Sequence, residues 1–414
     1  MTRTALITGL GATTPIGGDV PTFWANAQKG VSGAATMQHE WVEQYDLPVT
    51  FAAELAVPTS EVLSKVELKR QDPSTQMATV AAREAWADAG LADADVDPER
   101  LAVAMGTGIG GVWTILDAWD ALRERGPRRV MPMTVPMLMP NGAAGALSLE
   151  FGARAGARTV VAACAAGTEA LDTALTLIRT GQADVVLCGA TEAAVHPMPM
   201  AAFAAMQALS KRNDDPQSAS RPYDVDRDGF VLGEGAGVMV VESEEHAAAR
   251  GARVYARLAG TGVTSDSHHI TAPEPEGLGA TRAMRRALAD AGLRPEDVGH
   301  VNAHATSTPK GDAPEYLAMK AVFGTGLDDV LVSATKSQTG HLLGASGAIE
   351  SILSVLAVHH GVAPVTINLE NQDPEIPLNV VTGTPAALPA DRRVVVKNSF
   401  GFGGHNAVAV FTGV

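Results

Sequence analysis

Cysteine is nearly absent from this chain: there are two, Cys164 and Cys188, in 414 residues. That scarcity argues against a disulfide framework and for a reducing, cytoplasmic setting. No Cys-x-x-Cys pair occurs, and no metal is expected. Basic residues are the minority, with 31 Lys and Arg against 46 Asp and Glu and a formal charge of −15, which argues against general nucleic-acid binding. No apolar run reaches the ~18 residues of a membrane span, and Met1-Thr-Arg-Thr-Ala5 lacks a signal-peptide layout. A long Pro/Gly/Ser linker is missing too, so the chain is expected to form one compact unit.

What is present reads as a large globular enzyme. Hydrophobic residues make up 46% and charged ones 19%, enough apolar material for a substantial core. Helical stretches alternate with short apolar runs, the mark of layered α/β architecture. The pattern also repeats loosely. Ala87-Asp-Ala-Gly-Leu91 and Ala289-Asp-Ala-Gly-Leu293 each end an amphipathic helix on a glycine, and an apolar strand follows each, Leu101–Met105 and Val298–Asn302. Cys164-Ala-Ala-Gly167 opens a helix in one half, and Gly344-Ala-Ser-Gly347 opens one in the other.

Thr159-Val-Val-Ala-Ala-Cys-Ala-Ala-Gly-Thr168 carries the strongest chemical signal. A β-branched run ends at Cys164, and a helix is expected over Thr168–Thr180. A thiol there meets unpaired N–H groups and the positive helix end, which favour a thiolate and can hold a negative oxygen. Two histidine motifs follow, Val301-Asn-Ala-His304 and Ser333-Ala-Thr-Lys-Ser-Gln-Thr-Gly-His341, each running from a small-residue strand into a loop. One thiol with two distant imidazoles suits acyl-thioester chemistry. Cys188, inside Ala183–Ala190, reads as a buried strand residue.

These motifs, with Ile7–Gly17, Arg212-Asn-Asp-Asp215, Ser220–Gly237 and Asn398-Ser-Phe-Gly-Phe-Gly-Gly-His-Asn406, resemble the β-ketoacyl-acyl carrier protein synthases of the decarboxylating Cys-His-His type, nearest the synthase II branch, over essentially the whole length. The resemblance implies a thiolase-like α/β fold of two pseudo-duplicated halves, residues 1–255 and 256–414, in an α-β-α-β-α sandwich. It implies condensation of acyl- with malonyl-carrier protein in fatty-acid elongation, without metal or nucleotide; phosphopantetheine arrives on the carrier. Cys164, His304 and His341 would be catalytic, and the Phe400 N–H would complete the oxyanion hole while its ring gates the acyl pocket, supported by Phe402. Lys336 would form one buried polar network with Asp312, Glu315 and Glu350. Thr306 and Thr308 would hold the phosphopantetheine arm, while Ile109 and Phe203 would wall the acyl pocket. The family usually has Thr at His405, a departure expected to touch loop packing only.

The resemblance also implies a homodimer, with the Met-rich run Val130–Pro140 at its interface. Lys65, Lys69 and Arg70, and Arg128 and Arg129 beside Arg123 and Arg125, form basic clusters suited to an acidic carrier protein. A thiolase would carry a second cysteine in its C-terminal glycine-rich loop, a synthase III would show His and Asn, and a non-catalytic chain-length factor would lack Cys164. A ketosynthase of a polyketide or polyene pathway, with a heterodimer as its counterpart assembly, stays open, because Ala163-Cys-Ala-Ala-Gly-Thr168 departs slightly from the versions common in primary metabolism.

Overall fold

The repeat in the sequence becomes a repeat of strand order in the computed structural model, which describes residues 3–414. The first five main strands are β1 (Ala5–Thr13), β2 (Leu101–Thr107), β3 (Gly156–Val161), β4 (Val185–Glu192) and β5 (Gly235–Ser243). The next five are β6 (Ala256–Ser265), β7 (His300–Asn302), β8 (Leu331–Ser333), β9 (Val394–Gly401) and β10 (His405–Thr412). Laid side by side they run β1-β5-β4-β2-β3 and β6-β10-β9-β7-β8, one order used twice. Pairing sense agrees as well: the first two pairings of each set are antiparallel and the last two parallel. A short antiparallel contact, Ala5 to Leu258 through Ile7 to Ala256, joins the sets into a ten-stranded sheet.

The helices that matter for the site are α1 (Pro73–Asp88), α2 (Ala166–Arg179), α3 (Leu278–Ala291), α4 (Asp312–Phe323) and α5 (Ser346–His360). Every residue of α5 from Ser346 to Val358 is buried, as expected of a helix with no solvent face. It lies with α2 in the middle layer, where Leu171, Leu175, Ile349, Ile352 and Phe411 share one apolar cluster. Separate clusters line the outer faces. Ala78, Ala81 and Ala85 of α1 pack on the first strand set, and Ala283, Met284 and Ala287 of α3 pack on the second. The result is the expected α-β-α-β-α layering.

Small residues let the two middle helices touch. A Cβ on Gly167 would lie 2.5 Å from the Ala348 nitrogen, and one on Gly347 would lie 2.6 Å from the Thr168 nitrogen. No side chain fits there, so the helix openings behind Cys164 and Gly344 meet backbone to backbone. Two expected boundaries shift: α2 begins at Ala166 rather than Thr168, after a tight turn Ala163–Ala165, and the strand expected from Val298 is ordered from His300. Among the described residues no helix is long and apolar enough to cross a membrane.

Candidate active site

Parallel strands deliver their C-terminal ends to one edge of a sheet, where loops can gather side chains. Here β2 leads to Ile109, β3 to Cys164 and β4 ends at Glu192, while β7 leads to His304, β8 to Lys336 and His341, and β9 to Phe402. The turns are tight enough to force left-handed backbone on residues with side chains: Ala163 (φ 46°), Ala305 (φ 26°), Ser307 (φ 65°) and Leu343 (φ 46°). Such conformations cost of order 1–3 kcal/mol each and persist where the surroundings over-determine them.

Cys164, His304 and His341 line one cavity of about 920 Å³. His341 Nε2 lies 3.1 Å from the Cys164 Sγ, and the Ser346 hydroxyl, 2.9 Å from Nδ1, fixes the ring. The two imidazoles stand nearly perpendicular with centroids 5.4 Å apart. Burial pushes both well below their usual range, and the positive charges of Lys336 and Lys397 push in the same direction. Both rings are therefore neutral near pH 7, able to donate a hydrogen bond without carrying charge.

The thiol departs from the sequence expectation. Burial pushes Cys164 up to about 11, against the lowering effect of Lys336. Ionising it at pH 7 then costs on the order of 5 kcal/mol, whereas a helix N-terminus returns at most ~2 kcal/mol. Burial wins, and the resting thiol is protonated.

The backbone N–H that faces the thiol from the glycine-rich loop is that of Phe402, not Phe400. The N–H groups of Phe402 and of Cys164 itself are the backbone donors at Sγ. Phe400 is still inside β9, paired with Asn406, whereas Phe402 is the first residue past the strand, where the backbone turns inward. The Phe400 ring instead meets His304 edge-on, centroids 5.9 Å apart. Gly401 permits this turn: a Cβ there would sit 3.0 Å from both the Ala162 oxygen and the Cys164 nitrogen. Beyond it, the Gly403 N–H donates to the Ile270 oxygen at 2.7 Å, and Asn406 Nδ2 donates to Asp266 at 2.7 Å, so two loops are latched together. His405, the first residue of β10, approaches Glu169 of α2 at 3.9 Å.

The single polar network expected around Lys336 divides. Lys336 Nζ donates to both oxygens of Glu350, at 2.7 and 2.9 Å. Glu315 instead accepts from the backbone N–H groups of His304 and Ala305, at 2.8 and 2.7 Å, and from Asn398. Asp312 is separate again, accepting from the N–H groups of Ser307 and Tyr223. Asp312 and Glu315 lie one turn apart on α4, so each reaches a different stretch of the His304 loop. Their work is to hold strained backbone in place.

Among the other expected residues, Thr306 and Thr308 line the cavity with hydroxyls 3.0 Å apart, and Ile109, Phe203, Phe400 and Phe402 line it too. Lys65, Lys69, Arg70, Arg128 and Arg129 are exposed on short helical segments away from the lining, while Lys211 and Lys310 border the cavity. Cys188 is sealed inside β4, its thiol pushed far up by burial. His300, four residues before His304, turns to the Ser333 hydroxyl at 2.9 Å; among the described residues no cluster suited to a metal occurs.

Sequence reasoning missed Phe230 and Glu192. Phe230 packs edge-on against both Phe203 and His341, with centroids 5.4 and 5.2 Å away. Its only sequence signal is its place in the motif Ser220–Gly237. The buried Glu192 carboxylate accepts from the N–H groups of Gly108, Ile109 and Gly344, tying the pocket loop to the turn after His341. Burial nonetheless pushes it up to about 7. A lone Glu ending an apolar strand gives no sequence signal for that role.

Residues 2–247 match the family described as Beta-ketoacyl synthase, N-terminal domain, and residues 255–370 match Beta-ketoacyl synthase, C-terminal domain. The chain is 47% identical over 410 residues to 3-oxoacyl-[acyl-carrier-protein] synthase 2 of Staphylococcus aureus (strain N315), covering 99% of this chain and 98% of that one. Its counterpart in Synechocystis sp. is 43% identical with the same coverage. Among solved structures, a type II polyketide ketosynthase in complex with its acyl-carrier protein superposes with TM-score 0.92 at 32% identity, and a β-ketoacyl synthase from Burkholderia phymatum STM815 with TM-score 0.91 at 34%. Both structural matches cover 100% of each chain.

Proposed function

The chain belongs to the β-ketoacyl synthase family, and from that premise we propose that it condenses acyl- with malonyl-acyl carrier protein to 3-oxoacyl-carrier protein, as a synthase II type enzyme of fatty-acid elongation. The observation that carries this reading is the contact of Cys164 Sγ with His341 Nε2, with His304 facing the same cavity. In the first half-reaction the thiol attacks the acyl thioester, and the N–H groups of Cys164 and Phe402 hold the tetrahedral oxyanion. The thiol proton passes by way of His341 to the departing phosphopantetheine sulfur.

In the second half-reaction the neutral imidazoles donate to the thioester carbonyl of the malonyl group. Carbon dioxide leaves, and its bonding electrons become an enolate that those two donors stabilise. The enolate carbon attacks the acyl-enzyme, and the Cys164 sulfur departs and takes up a proton from solvent by way of His341. Phosphopantetheine is brought by the carrier and held at Thr306 and Thr308; the ammonium groups of Lys211 and Lys310, which border the same cavity, support an anionic arm there. The two halves, 1–255 and 256–414, act as one unit.

A homodimer completes the reading. β3 is the outermost strand of its set, with Val161 54% exposed, and Val135, Met131 and Leu149 are exposed large apolar side chains that a monomer would leave wet. A second copy paired along β3 would cover such an edge. Sedimentation should give the mass of two chains; a stable monomer at micromolar concentration would remove this part of the reading.

Assay with acyl-carrier proteins of graded length, malonyl-carrier protein and product mass detection tests the activity. Chains extended by two carbons once per cycle are expected, whereas repeated extension without release would point to a polyketide-type role. In the same assay Ile109→Phe should reject long primers and keep short ones, with decarboxylation unchanged, because a close-packed wall yields poorly to added bulk. Long primers accepted as before would take Ile109 off the pocket wall.

A further inference from the structure

Beneath the two imidazoles lies a second lysine for which the condensation as described has no use. Lys397, in β9, is 0% exposed, an environment that a lone ammonium does not tolerate. Its Nζ lies 2.9 Å from Glu350 Oε2, while Lys336 holds both oxygens of the same carboxylate. Its Nζ also donates to the Asn398 carbonyl. The neighbouring Asn398 side chain donates to Glu315 at 3.0 Å, and Glu315 holds the His304 N–H at 2.8 Å. In the sheet Lys397 is aligned with Asn302, two residues before His304. The side-chain oxygens of Asn302 and Asn398 are both buried and without a hydrogen-bond partner.

The charged groups facing this point come from every element around it: Glu350 on α5, Lys336 after β8, Glu315 on α4, and the two imidazoles. With both lysines charged, two carboxylates are balanced by two ammoniums. Without Lys397 one buried negative charge is left over, below the place where an enolate forms. One carboxylate does not require two lysines for hydrogen bonding, since Lys336 already reaches both its oxygens. The second ammonium therefore answers a need for charge.

We propose that Lys397 is a positioning residue for the condensation, a tethered internal cation that balances Glu350 and Glu315 and keeps His304 and His341 neutral donors for the enolate. The inference rests on the decarboxylating reading above. Lys397→Met keeps the length of the side chain and removes its charge. Malonyl decarboxylation should fall about 10–100-fold, the usual scale for a group acting through its neighbours. Acyl loading on Cys164 should fall less. The acid limb of the decarboxylation profile should move up by about one pH unit, because losing a positive neighbour makes the imidazoles easier to protonate. In Lys397→Ala, added ammonium, methylammonium or potassium ions should restore decarboxylation, and they should do nothing for wild type.

A folded Lys397→Met with the acid limb where wild type has it would overturn the proposal, as would a folded Lys397→Ala that no small cation rescues. Failure of both variants to fold would overturn it too, by making the ammonium a requirement of packing alone. Wild type is run alongside; its own inability to decarboxylate malonyl-carrier protein would count against the proposed reaction, whereas the charge proposal is read from variant against wild type.

Discussion

Cys164→Ala is expected to abolish acyl-enzyme formation and condensation together. No second accessible thiol is available: Cys188 is sealed inside β4, and burial holds its thiol far above the range in which it could ionise. Mass spectrometry after incubation with acyl-carrier protein should find the acyl group on the peptide carrying Cys164 in wild type, and on no peptide in the variant. Decarboxylation of malonyl-carrier protein should survive, since it draws on the two imidazoles and not on sulfur. Acyl label on Cys188, or decarboxylation lost with the thiol in a folded variant, would show that the roles are divided differently.

Replacing His304 by Ala is expected to lower malonyl decarboxylation on the order of 10²–10⁴-fold while acyl loading falls much less. His304 faces the cavity with no side-chain bond to the thiol, whereas His341 touches Sγ at 3.1 Å. His341→Ala should therefore damage both half-reactions. The comparison separates the two imidazoles by geometry. Single-turnover loading and carbon dioxide release, measured on each folded variant, give the four numbers needed. Equal damage to loading in both variants would mean that His304 also handles the thiol proton.

The resting thiol bears on how these rates depend on pH. Burial holds it protonated, with its midpoint pushed up to about 11, so little thiolate exists near pH 7. Because neutral His341 takes the thiol proton within the step, the loading rate should be level through the neutral range and rise only as pH nears that midpoint. The lowered imidazoles act in the opposite sense, remaining neutral well into mild acid. Loading is thus the more alkaline of the two half-reactions.

Several features were legible in the residues themselves. Cys164 at a strand-to-helix turn, and His304 and His341 in small-residue loops after short strands, stand out because their chemistry and local context coincide. The doubled pattern of glycine-capped helix followed by strand foretold the doubled strand order, since local periodicity and capping are properties of a few neighbouring residues. Other features depended on where the chain goes. Phe400 and Phe402 are alike as letters in Ser399-Phe-Gly-Phe-Gly-Gly404; the end of β9 at Gly401 turns the second N–H toward sulfur and leaves the first in the strand. Likewise Asp312 and Glu315 look like two members of one acidic group, yet the helical step between them sends each to its own stretch of backbone.

Thus the sequence by itself singled out the candidate thiol and the two candidate imidazoles, the duplicated layering and the family's chemistry, because these rest on residue type, spacing and period. Tertiary structure alone decided which amide faces the thiol and that the thiol rests protonated. It also decided that Glu192 clamps two distant loops and that Lys397 shares a carboxylate with Lys336. Each of these depends on burial and on the direction of a bond between segments far apart in the chain, and neither quantity is carried by any residue until the layers close.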